Sequence, residues 1–105
     1  MAKVKFSLNA NPTFKSKVEI PVPGDKSATV EFVFKGRTRT AFKDFIDGLK
    51  DREDVDVLMD IASGWDLEDA FDKDNVEVLT QNSLGAARAI IEKYLAELTS
   101  ARLGN

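Results

Sequence analysis

From Thr13 onward the chain alternates between apolar and polar positions. Phe14, Ser16, Val18, Ile20 and Val22 share one face, while Lys15, Lys17, Glu19 and Pro21 share the other. This period of two predicts a half-buried strand. Pro23, Gly24, Asp25 and Lys26 then carry turn chemistry. A second alternation sets Ala28, Val30, Phe32 and Phe34 against Thr29, Glu31, Val33 and Lys35. Two such runs around a short turn predict an antiparallel hairpin. A lone hairpin is marginal in water, so one face must lie on something else.

The period then changes to that of a helix. Phe42, Phe45, Ile46 and Leu49 recur at i, i+3, i+4 and i+7, with Thr40 placed to cap them. Over residues 55–62 two periods compete. Val55, Leu58, Met59 and Ala62 fit a helix, whereas Val55, Val57, Met59 and Ile61 fit a strand. Ser63-Gly64 resembles a helical stop and favours the helix. Asp74 and Glu77 have capping-box spacing and predict a short helix opening at Asp74. Ser83 opens the last and longest helix, whose apolar stripe is Leu84, Ala87, Ile90 or Ile91, Tyr94, Leu95 and Leu98. Gly104-Asn105 follows directly behind it. Residues 1–12, with the turn-rich stretch SLNANP, read as a flexible leader to a single domain over 13–105. The predicted class is α+β: an N-terminal antiparallel β-hairpin packed on a small bundle of about four helices.

Composition narrows the chemistry. A chain of 105 residues, 43% hydrophobic and 31% charged, suits one globular domain with a modest core. Asp and Lys interrupt every apolar stretch before it reaches bilayer length, and the N-terminus lacks the apolar run of a signal peptide. A cytoplasmic location without a membrane partner is therefore expected. With no cysteine and no histidine, disulfides, thiolate sites, imidazole ligands and Ser–His–Asp triads are excluded. The glycines at 24, 36, 48, 64, 85 and 104 are too scattered for a phosphate loop. Lys35–Thr40, KGRTRT, has charges for phosphates but no interleaved aromatics, and the acidic chain argues against nucleic acid. No catalytic, cofactor-binding or metal-binding residue is assigned.

Charge is distributed unevenly. Residues 1–42 carry eight Lys/Arg against three acids, and residues 43–77 carry four against thirteen. The two segments attract each other, offer partners two differently charged surfaces, or are simply solvated. The acids are densest in SGWDLEDAFDKDN, Ser63–Asn75, which also holds the lone tryptophan. A calcium loop needs alternating acids, a central glycine and a terminal bidentate Glu. Here Ala70-Phe71 stands in the middle and Lys73 opposes the acids. Trp65, Leu67 and Phe71 read instead as anchors to the core, or as a partner surface, since a partly exposed Trp is a frequent interface hot spot. The stripe of the last helix, at Tyr94 and Leu98, offers the same pair of readings. A general protein-interaction adaptor and a small acidic cation-binding module both remain open on the residues alone.

The order of features resembles the tail assembly chaperones of long-tailed bacteriophages. The similarity lies in FIDGL (Phe45–Leu49), VLMDIASGWD (Val57–Asp66), NVEVLTQN (Asn75–Asn82) and GAARAIIEKYLAELTSARLGN (Gly85–Asn105). The hairpin VEIPVPGDKSATVEFVFKGRTR resembles the family's opening. Where that family often has an aromatic–Pro pair before the last helix, this chain has Asn82-Ser83. The resemblance implies a non-enzymatic assembly factor of the host cytoplasm, absent from the mature virion. It would bind the tape-measure protein, promote tail-tube polymerisation by the tube protein, and possess some capacity for self-association. It also implies a short form, with a longer one made by ribosomal frameshifting.

Overall fold

The structure is a computed structural model, and it describes Leu8 and residues 12–99. The rest of the expected leader, and Gly104-Asn105, lie outside the described residues. Strand β1 (Thr13–Ile20) and strand β2 (Ala28–Lys35) pair antiparallel from Thr13 opposite Lys35 to Ile20 opposite Ala28. The turn between them is closed by a hydrogen bond from Asp25 N to Val22 O, 3.0 Å. Gly24 has φ 78°, a left-handed conformation that glycine alone adopts at no steric cost. Ser27 and Thr29 hydroxyls donate to Glu19 across the hairpin, and these bonds hold its carboxyl below its ordinary pKa.

Helix α1 (Arg39–Gly48) follows, then a short 3-10 turn (Leu49–Asp51) and helix α2 (Asp54–Ile61). The cap of α1 is Thr38, not Thr40. Thr38 has extended backbone and its hydroxyl accepts from Ala41 N at 3.1 Å, so Thr40 already lies inside the helix. Of its expected stripe, Phe45 is buried, Phe42 and Leu49 are half-buried and Ile46 is exposed.

The ambiguous stretch is helical as far as Ile61, but Ser63-Gly64 is not its stop. Ala62 turns extended, and strand β3 (Ala62–Trp65) pairs antiparallel with β2, placing Phe34 opposite Ala62 and Phe32 opposite Trp65. The sheet is therefore three-stranded, in the order β1-β2-β3, rather than a bare hairpin. Asp66 continues the pairing: its N–H donates to Glu31 O and its carboxylate accepts from Glu31 N. The physical reason is the free edge of β2, whose unpaired backbone groups take the first extended segment that reaches them.

Helix α3 (Lys73–Asn82) is capped by Asp72, whose carboxylate accepts from Asn75 N at 2.8 Å. The Asp74–Glu77 capping box is not formed, because Asp74 already sits in the first turn. Helix α4 (Ala86–Thr99) starts at Ala86 rather than Ser83, which instead terminates α3. Leu84 is consequently 89% exposed in the connecting turn and leaves the predicted stripe. Gly85 lies against the hairpin, where an added Cβ would come within 3.2 Å of Pro21.

One face of the sheet is covered by α2 and α4, with α3 packed against both helices. Val18, Ile20, Val30, Phe32, Phe34 and Ala62 meet Val57, Leu58, Ile61, Ala86, Ala87, Ile90 and Tyr94 in a single cluster, every one of them buried. Fully burying a large apolar side chain contributes about 1.5–3 kcal/mol, so this cluster supplies most of the driving force. Val22, the last apolar position of the first alternation, lies beyond the sheet and is exposed. Ser16 is the buried polar residue of the sheet, and its hydroxyl donates to Glu97 at 2.6 Å.

Candidate functional site

The segment from β3 to α3 is a tied loop. Trp65 packs edge-on to Phe32 and to Phe71, with ring centroids 5.9 and 5.1 Å apart. Its indole N–H donates to Asp69 O at 2.7 Å, and Asn75 Nδ2 donates to Ala70 O at 2.8 Å. Three separate tasks thus fall to neighbouring residues of one segment. Asp66 extends the sheet, Asp72 caps α3, and Trp65 staples the loop. Among the described residues no three acids gather as a cation's ligands.

A groove of about 240 Å³ opens between this loop and α3. Trp65, Leu67, Val78 and Leu79 form its apolar part, and Asp69, Asn75, Asn82 and Ser83 its polar part. Leu67 is 39% and Val78 55% exposed, so two large aliphatic side chains face water next to a half-buried indole. Small-molecule sites typically enclose about 300–1,000 Å³ and bury their ligand, which this open groove does not match. It is suited to side chains presented by another protein.

The structure brings Trp65, Leu67 and Phe71 together, with Phe71 packed on Trp65 rather than lining the groove. Tyr94 is wholly buried and has no surface in this fold to offer a partner. Leu98 is half-buried in a different cleft of about 410 Å³, with Arg37, Thr38, Arg39, Phe42 and Thr99. Val78 and Leu79 were missed by sequence reasoning. A signal existed for Val78: Val76 and Leu79 mark the inward stripe of α3, and Val78 lies about 200° around the helix from Val76. An aliphatic residue on the polar face of an amphipathic helix is the cue.

Beside the Leu98 cleft a polar cluster joins β2 to both inner helices. Arg37 Nε donates to Tyr94 Oη at 2.8 Å, and that hydroxyl donates to Lys35 O at 2.8 Å. The guanidinium also stacks 4.5 Å above the Phe45 ring and pairs with Asp60 at 3.0 Å, while Arg52 reaches the same carboxylate oxygen at 2.8 Å. Burial works to raise the Asp60 carboxyl, but hydrogen bonds from Arg52 and Arg37 outweigh it and hold the pKa below its ordinary value. Burial raises the Tyr94 hydroxyl, with Arg37 opposing. A carboxyl whose pKa is depressed by folding stabilises the fold above its unfolded pKa and loses that effect as pH falls through the folded value. Asp60→Asn is therefore expected to cost about 2 kcal/mol at neutral pH, less than a fully buried pair because a third of the side chain meets solvent. Urea titrations should show the gap from wild type closing once the pH drops below the usual carboxylate range. A gap constant from neutral to strongly acidic pH would exclude the ion pair as its source.

Fold and surface together define a small α+β domain with an open groove that is apolar at its floor and bordered by Asp69. Residues 1–105 match the family described as phage tail assembly chaperone, and the chain belongs to that family. No curated protein and no solved structure matches it.

Proposed function

We propose that this protein is a tail assembly chaperone that binds the tape-measure protein, keeps its apolar helices soluble, and helps tail-tube subunits polymerise around them. It acts by surface rather than by catalysis, in the host cytoplasm, and leaves before the virion is finished. Family membership supports the chaperone role. The observation that carries the binding mode is the groove: Leu67 and Val78 stay exposed beside Trp65 although the core is complete without them. No helix among the described residues is long and apolar enough to cross a membrane.

The test is co-expression with fragments of a phage tape-measure protein. Wild type should hold a fragment in the soluble fraction, and purified tube subunits should then assemble around the complex under the electron microscope. Val78→Asp combined with Leu67→Asp should weaken capture roughly thirtyfold or more, the scale of an interface hot spot. Undiminished capture by that double variant, folded by circular dichroism, would remove the groove from the function.

A further inference from the structure

We propose that the groove takes a cationic amphipathic helix, its apolar face on Trp65, Leu67, Val78 and Leu79 and its flanking lysines or arginines against Glu68, Asp69 and Asp74. This rests on the groove being the chaperone's docking surface and adds the chemistry of what it holds.

The charge around the groove is one-sided. From Asp66 to Glu77 there are six carboxylates and one cation, Lys73, whose Nζ is 3.5 Å from Asp56. No lysine or arginine lines the groove. Asp66 and Asp72 already accept backbone N–H groups. The carboxylates of Glu68, Asp69 and Asp74 have no hydrogen bond or ion pair among the described residues, and all three residues are exposed. Asp74 is in the first turn of α3, where the helix dipole favours it, so its placement alone has a local explanation. Glu68 and Asp69 have none. Asp69 lines the groove and Glu68 stands between the lining residues Leu67 and Asp69 in the chain, where carboxylates attract a cationic partner and repel an anionic one.

A helical occupant follows from what the walls are made of. The floor consists of side chains from α3, from Trp65 at the end of β3 and from the irregular loop, which match anchors spaced i, i+3, i+4 and i+7. The free backbone edges of the sheet lie along β1 and β3, so an added strand would pair there instead of lying on the side chains of α3.

The experiment uses fluorescence anisotropy on the full chain with three synthetic helices of about 18 residues. Each has the same Leu/Ala face, and the ends carry Lys, Ser or Glu. At about 50 mM salt the Lys-flanked helix should bind about tenfold tighter than the Glu-flanked one, and at about 500 mM the difference should shrink to twofold or less. Circular dichroism should show helicity gained on binding. Glu68→Gln, Asp69→Asn and Asp74→Asn together should erase the preference while leaving binding of the Ser-flanked helix unchanged. Val78→Asp should weaken the Ser-flanked helix, which has no charge to offset the loss. Equal binding of all three helices, or a preference that survives in the triple variant, would overturn the proposal. So would Lys-flanked binding with no gain of helicity.

A tape-measure fragment assayed in parallel separates the two readings. Capture that is lost in the Val78→Asp, Leu67→Asp variant but is blind to salt and to the triple variant sustains the docking surface and sinks the cationic helix. A fragment that never binds, while the Lys-flanked helix does, sinks the tape-measure reading and sustains the chemistry of the groove.

Discussion

Replacing Tyr94 with alanine is expected to cost about 4 kcal/mol, as for other large aromatic truncations, enough to remove much of a small domain's stability. The ring is fully buried and meets three others: Phe14 at 6.3 Å, Phe34 at 5.2 Å and Phe45 at 5.8 Å between centroids. The more informative variant is Tyr94→Phe. It keeps the ring and deletes only the hydroxyl that accepts from Arg37 and donates to the Lys35 carbonyl. Both groups then lose a partner in a poorly hydrated place, which costs about 2 kcal/mol. For a domain of this size that lowers the melting temperature by roughly 10 °C. Thermal and urea denaturation of the two variants would measure both costs. A Tyr94→Phe protein as stable as wild type would show that α4 is not tied to the end of β2 through this oxygen.

Two valines two positions apart on α3 are expected to respond oppositely to the same change. Val76 is 1% exposed and Val78 is 55% exposed. Val76→Asp buries an unpaired carboxylate under α2 and α4, and a cost above about 4 kcal/mol is expected, with loss of the cooperative melt. Val78→Asp places the same carboxylate in water, where a change within about 0.5 kcal/mol is expected. Circular dichroism melts on the pair decide this directly. Similar destabilisation at both positions would mean that α3 is rotated from the orientation described, and the groove would disappear with it. The pair also provides the folded control on which any loss of binding at Val78 depends.

Alternation made the hairpin legible, because a strand with one buried face must repeat every two residues, and Val18, Ile20, Val30, Phe32 and Phe34 do so. The helices were legible from their stripes, but their starts were displaced by two or three residues. Thr38, not Thr40, and Asp72, not Asp74, accept the free N–H groups. In both cases two capping residues stand close together, and local spacing does not say which of them the chain leaves extended. Of the site, Trp65 and Leu67 were legible as a hydrophobic pair in an acidic loop. Val78 was not, since its role depends on which side of α3 the core claims.

Sequence alone thus determined the class of fold, the sign of the charge on each segment and the absence of imidazole and thiol chemistry, since these follow from residue type and period. Tertiary structure alone decided that 62–65 is a strand, that Tyr94 is core, and that Trp65, Leu67, Val78 and Leu79 form one surface. An open edge on β2 took Ala62–Trp65 out of the helix reading, and Asp66 locked it there through the Glu31 backbone. Such choices depend on which groups come within hydrogen-bond reach once the layers are packed, and no local pattern in the chain encodes that distance.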